Sequence, residues 1–248
     1  MKQDAKNLFI VGLGPGSIEQ MSRTAYQVLK EVDVIVGYKT YIGLIDEMIA
    51  DEQQIYDSGM RKEQERAEKA IELAKKGYKV AVISSGDPGV YGMAGLIYEI
   101  IAEKGHQIEA EVIPGITAAN AAASILGAPL MHDYAVISLS DLLTPWQQIE
   151  KRLKSAAEAD FITALYNPRS SKRTEQIKIA RKIFLNYRQE ETPVGIVHSA
   201  GREDEEKIIT NLNKMLENKI DMLSTVIIGN SETFTDGQKM ITPRGYNL

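Results

Sequence analysis

The residues best suited to chemistry lie in short loops that follow apolar runs. Gly12-Leu13-Gly14-Pro15-Gly16-Ser17 comes directly after Leu8 to Val11. Glycines at alternate positions let the backbone turn tightly and let a ligand approach without side-chain obstruction. The spacing is G-x-G-x-G, whereas a dinucleotide fingerprint needs G-x-G-x-x-G and an acidic residue about twenty positions later. Ser17 stands where the third glycine would be, and Pro15 removes a backbone donor for phosphate. Asp33 keeps the dinucleotide reading open, and a plain strand-to-helix turn is the other alternative.

Ser84-Ser85-Gly86-Asp87-Pro88-Gly89-Val90-Tyr91-Gly92 follows another apolar run. Ligands of open α/β sheets sit beyond the carboxyl ends of strands, where Asp87 lies. Its carboxylate can accept from ribose hydroxyls or a cationic ligand group. Equally, it can cap the next helix. Ile113-Pro114-Gly115-Ile116-Thr117-Ala118 opens onto Ala119-Asn120-Ala121-Ala122-Ala123, where small side chains leave room for a flat ligand or for close helix-on-sheet packing.

In the second half, Tyr166-Asn167-Pro168-Arg169-Ser170-Ser171-Lys172-Arg173 combines a turn signal with a cationic patch suited to carboxylates or phosphates, or to a solvated helix start. In Ser138-Leu139-Ser140-Asp141-Leu142-Leu143-Thr144-Pro145-Trp146, Thr144 and Pro145 read as a helix cap and first turn. That leaves Ser140 and Asp141 for substrate. His198, before Ser199-Ala200-Gly201-Arg202, reads as a proton carrier or a partly buried structural histidine. His106 reads as solvated.

Alternating elements must position these loops. Strands are expected at Leu8–Gly12, Asp33–Gly37, Lys79–Ser84, Glu109–Ile113, Tyr134–Leu139, Phe161–Tyr166, Val194–His198 and Thr225–Gly229. Helices are expected after Met21 and at Arg61–Lys76, Val90–Glu103, Thr117–Leu126, Trp146–Ala157 and Arg173–Tyr187. Lys207–Lys219 reads as strand turning into helix. The alternation predicts an α/β fold with mostly parallel sheets covered on both faces. Gly127-Ala128-Pro129 punctuates it, so the expected domains are 1–130 and 131–248.

The 248 residues are 44% hydrophobic and 25% charged, as in an ordinary globular protein. A net charge of −5 gives no global attraction to nucleic acid. With no cysteine, disulfides, thiolate metal sites and cysteine nucleophiles are excluded, and the histidines are too scattered for a metal cluster. Nothing reads as a signal peptide or a long apolar run, so the expected location is cytoplasmic, with no membrane partner.

Taken in order, Gly12-Leu13-Gly14-Pro15-Gly16, Gly86-Asp87-Pro88, Pro114-Gly115-Ile116-Thr117-Ala118 and Pro193-Val194 resemble the tetrapyrrole methylases. That family includes uroporphyrinogen III, precorrin and cobalt-precorrin methyltransferases and diphthine synthases. The resemblance covers essentially the whole chain. The segments Ser138–Trp146 and Tyr166–Ser170 look like the branch that methylates carbon 17 of precorrin-3B or cobalt-factor III and contracts the ring.

The resemblance implies two α/β/α domains with the cofactor in the cleft between them, and a homodimer. It implies S-adenosyl-L-methionine as methyl donor, leaving S-adenosyl-L-homocysteine. Cofactor contacts would come from Pro15, Ser85, Gly86, Asp87, Val90, Thr117, Ala118, Tyr166, Asn167 and Ala200. Ser85 stands where several relatives carry glycine. Ring contraction calls for a proton donor or acceptor, for which Asp87, Asp141, Ser17 and His198 are the candidates. Arg61, Lys62, Arg169, Lys172 and Arg173 would meet the carboxylates of the tetrapyrrole. The competing readings are another methylase of the family, an NAD-binding dehydrogenase and a non-catalytic cofactor-sensing module.

Overall fold

Short runs of Val, Ile and Leu bounded by Gly, Ser and Asp become the strands of two sheets. The computed structural model describes residues 6–59 and 61–247. The chain divides into two compact units, Met1–Thr117 and Ala118–Leu248.

The first unit alternates β1 (Leu8–Gly12), α1 (Arg23–Glu31), β2 (Val34–Tyr38), α2 (Lys39–Ile42), β3 (Gln54–Ser58), α3 (Glu63–Lys75), β4 (Val80–Ser84), α4 (Ala94–Glu103) and β5 (Ala110–Ile113). Its sheet order is β3-β2-β4-β1-β5, with every pairing parallel. Successive side chains point to opposite faces of a strand, and that alternation divides the core. Leu8, Ile10, Val34, Val36 and Val82 pack with Ala67 and Ile71 of α3 and Ile97 of α4. Val11, Ile35, Ala81 and Ile83 pack with Ala25 and Leu29 of α1 on the other face. Both faces are covered, as expected for a parallel sheet. Gly77, at φ 93°, ends α3 in the left-handed conformation that terminal glycines adopt.

The second unit begins with α5 (Ala118–Leu126). There follow β6 (Gly127–Ala128), β7 (Tyr134–Ser138), α6 (Trp146–Glu158), β8 (Ile162–Tyr166), α7 (Gln176–Leu185), β9 (Pro193–His198), β10 (Glu206–Asn211), β11 (Ser224–Ile228), β12 (Phe234–Thr235) and β13 (Met240–Ile241). The main sheet runs β10-β9-β11-β8-β7, and β12-β13-β6 forms a small second one. Ile137, Leu165, Ile196 and Val226 pack under α6 and α7, around Leu153 and Phe184. Ala119, Ala122 and Leu126 of α5 pack with Ile162, Ala164, Val197 and Ile227 on the opposite face.

Two expectations are corrected here. The main sheet of the second unit is mixed: β7 and β8 pair in parallel, whereas β8–β11, β11–β9 and β9–β10 are antiparallel. The cause is the connection from β9 to β10, which turns straight back through a loop, whereas a parallel pair needs a long crossover. Helix α5 buries its alanines in the core of the second unit, whose first residue is Ala118. Thr144 does not cap α6: the cap position is Pro145, which has no side-chain acceptor, and no side-chain cap bond forms there.

Candidate functional site

In the first unit, the loops after β1, β4 and β5 leave one edge of the parallel sheet as neighbours. The backbone stitches them together. Leu13 donates its N–H to Ser84 O at 2.9 Å; Gly14 donates to Gly86 O at 3.1 Å and Gly86 returns a bond to Gly14 O at 2.8 Å. Gly14 and Gly86 hold φ of 74° and 68°, a conformation that costs glycine nothing. Two amides of this turn, those of Leu13 and Gly14, are therefore spent on the neighbouring loop, and Pro15 has no N–H to offer a pyrophosphate. This weighs against the NAD reading.

Asp87, half-buried, joins the third loop to the second. Its Oδ2 accepts from Gly115 N at 3.0 Å and its Oδ1 from Gly89 N at 2.8 Å. The capping alternative fails, because α4 starts at Ala94 with Met93 in the cap position and the intervening residues form turns. Met93 donates its N–H to the buried Ser84 Oγ instead, at 3.2 Å. A carboxylate offers about four acceptor positions, so Asp87 can clamp the loops and still accept from a ligand. Of the other expected residues of these loops, Pro15 and Gly86 are buried, and Ser17, Ser85, Val90 and Thr117 are half-buried. Ser17 precedes a 3-10 turn at Ile18–Gln20.

On the far edge strand, the segment after β3 places Arg61 and Lys62. Arg61 is exposed, with φ 64°. Lys62 pairs with Glu65 at 3.0 Å, and this bond holds the Glu65 carboxyl below its ordinary range. Sequence reasoning missed Arg66, which is 5% exposed and donates to Ser58 Oγ and Gly59 O, both at 2.9 Å. The signal was available, since Arg66 shares a helix face with Ala70 and Ala74.

In the second unit β7, β8 and β9 run in one direction, so the loops after Ser138, Tyr166 and His198 leave the same edge of the sheet. Asn167, at φ 48°, donates Nδ2 to Ser138 Oγ at 3.0 Å, and Ser140 N–H donates to the same oxygen at 3.2 Å. Tyr166 Oη accepts from Ala119 N at 2.7 Å, which fixes the tyrosine to the first turn of α5. Ala118 opens that helix. Left-handed non-glycine residues persist where surrounding contacts enforce them, and they concentrate at functional sites.

Residues 7–216 match the family described as Tetrapyrrole (Corrin/Porphyrin) Methylases. The chain belongs to the tetrapyrrole methylases. A Priestia megaterium protein named Cobalt-factor III methyltransferase is 54% identical over 96% of this chain, which spans 45% of that protein's length. A Salmonella typhimurium protein named Probable cobalt-factor III C(17)-methyltransferase is 50% identical over 97% of this chain and 100% of its own length. Among solved structures, the methyltransferase CobJ superposes with a TM-score of 0.91 at 34% identity, over 96% of this chain and 100% of that one.

In this methylase the remaining expected residues fall into distinct settings. Arg169 and Lys172 are exposed. Arg173 is half-buried and turned inward, donating Nη2 to Asn167 O at 2.8 Å, so it shapes the turn on which Arg169 stands. Asp141 is exposed and accepts from Gln176 Nε2 at 2.9 Å. His198 is buried, with Asp221 and Asp204 on its two ring nitrogens, and Ala200 is half-buried in the loop beyond it. Both aspartates escaped the sequence reading, because neither stands in a recognisable motif. Among the described residues there is no group of three or more His, Asp or Glu arranged to hold a metal, and no helix long and apolar enough to cross a membrane.

Proposed function

We propose that this methylase transfers a methyl group from S-adenosyl-L-methionine to carbon 17 of cobalt-factor III or precorrin-3B, with ring contraction, in cobalamin biosynthesis. One observation carries the substrate: the match to the Salmonella relative, 50% identical over 97% of this chain and 100% of that one. The loops suit the methyl donor, because Ser85, Asp87 and Thr117 stand in or beside small-residue turns and offer hydroxyl and carboxylate partners for a nucleoside.

Bound there, the donor's sulfonium supplies an activated methyl group on a good leaving group. The protein's own task is to orient the partners and exclude water, which can account for much of such a rate enhancement. The reading assigns the cofactor to Pro15, Ser85, Gly86, Asp87, Val90 and Thr117 of the first unit, and to Ala118, Tyr166, Asn167 and Ala200 of the second. The carboxylates of the macrocycle fall to Arg61, Lys62, Arg169 and Lys172, with Ser140 beside them; Arg173 supports the Arg169 turn. Asp87, Asp141 and Ser17 are the residues to test for proton transfer during contraction. The reading also includes a homodimer in the cytoplasm, checked by analytical ultracentrifugation and cell fractionation.

The test is incubation with methyl-labelled S-adenosyl-L-methionine and either tetrapyrrole. A label on carbon 17 of a ring-contracted product, located by NMR, is the expected result. A label at another carbon would make the protein a different methylase of the family.

A further inference from the structure

His198 ends β9 with both ring nitrogens engaged. Nδ1 lies 3.1 Å from Asp221 Oδ1 and Nε2 lies 3.2 Å from Asp204 Oδ2, and the residue is 7% exposed. Carboxylate oxygens accept hydrogen bonds, so the ring faces an acceptor on each side. Asp221 is itself fixed at the entry to β11, accepting from Leu223 N at 2.9 Å and from Ser224 Oγ at 3.1 Å. Asp204 belongs to the loop between β9 and β10 and also accepts from Ser199 Oγ at 3.0 Å. The histidine thus ties that loop to the start of a central strand.

The tie acts on an unusual piece of backbone. Ser199 is buried at φ 49° and donates its N–H to Leu223 O at 3.0 Å, and Gly201 follows at φ 73°. Ala200 sits between two left-handed residues. A serine held there needs its surroundings to enforce the conformation. Those surroundings are Asp204 on its hydroxyl and Leu223 on its amide, and the His198 bridge joins the segments that carry both. A buried ring with a protein carboxylate on each nitrogen presents neither nitrogen directly to substrate.

We propose that His198 is a positioning residue: by bridging Asp204 and Asp221 it fixes Ala200, and so sets the affinity for S-adenosyl-L-methionine without taking part in proton transfer. The inference rests on the reading of Ala200 as a cofactor contact.

Calorimetric titration with S-adenosyl-L-homocysteine, together with steady-state kinetics, tests it in His198→Ala and Asp204→Ala. Asp204 has an exposed side chain, so its variant reports even where His198→Ala fails to fold; melting curves show which has folded. Both folded variants should weaken homocysteine-product binding and raise KM for the methyl donor by about tenfold, with kcat at saturating donor within about twofold of the parent. A fall in kcat of about a hundredfold with unchanged affinity would make His198 an acid–base catalyst and overturn the proposal. Unchanged affinity and unchanged kcat would also overturn it. Failure of the parent protein to bind S-adenosyl-L-homocysteine would sink the cofactor reading, and the proposal with it. Binding by the parent and by both variants alike would sink the proposal alone.

Discussion

At Gly115 there is no room for a side chain, since an added Cβ would stand 2.1 Å from Gly86 O and 3.0 Å from Gly12 Cα. Gly115→Ala must push backbone against backbone, and overpacking of this kind costs about 1–3 kcal/mol. Urea unfolding should show that loss, with weaker S-adenosyl-L-homocysteine binding alongside it. Arg169 is the contrasting case: an exposed cation on the Asn167 turn, whose own position is held by Arg173. Arg169→Ala should raise KM for the tetrapyrrole about tenfold and leave KM for the methyl donor alone, which steady-state kinetics will read. An unchanged tetrapyrrole KM would remove it from the site. The chemistry-bearing residues were legible because glycine, proline and aspartate interrupt apolar runs. What each one touches was not: the turn glycines read as room for a ligand, yet Gly12, Gly86 and Gly115 first make room for one another.

Among the elements, those with a strong apolar stripe were readable, and those without one were not. Helix α6 was expected at Trp146–Ala157 and runs Trp146–Glu158, with Ile149 and Leu153 buried. Strand β3 escaped notice because Gln54-Ile55-Tyr56-Asp57-Ser58 lies on a sheet edge, mostly exposed, and so carries no alternation of apolar residues. The direction of β10 and β11 was hidden for another reason. Strand periodicity is the same in parallel and antiparallel sheets, and only the length of the connections separates them. Helix α7 carries Phe184, fully buried against Leu153 and Val226 in the core beneath α6. Phe184→Ala should cost about 3–5 kcal/mol, seen as a lower urea midpoint.

For the whole molecule, the surface of the first unit contributes to the acid limb of stability, as do Glu175, Asp204 and Asp236 of the second, whose carboxyls are also lowered. Hydrogen bonds from Lys62, Lys104 and Lys76 are the leading causes that hold the carboxyls of Glu65, Glu68 and Glu72 below the ordinary value of 4.5. Groups with lowered folded values contribute stability that is complete above the unfolded value and is lost as pH falls through the folded one. The urea midpoint should therefore be insensitive to these groups near neutrality and should decline below pH 4.5. All are exposed, so the contribution is small and salt should flatten it. Constancy of the midpoint from pH 7 down to about 3 at low salt would contradict this assignment.

The reciprocal bridge between Gly14 and Gly86, with the Asp87 clamp on Gly115, has a consequence for motion. Residues in surface turns commonly trade their amide protons with solvent quickly, because opening is local. Here Leu13, Gly14, Gly86 and Gly115 each donate to a partner in a different segment, so releasing one proton means parting two segments. In deuterium these amides should be retained about as long as those of β1 and β4, giving the loop rim the rigidity of the sheet beneath it.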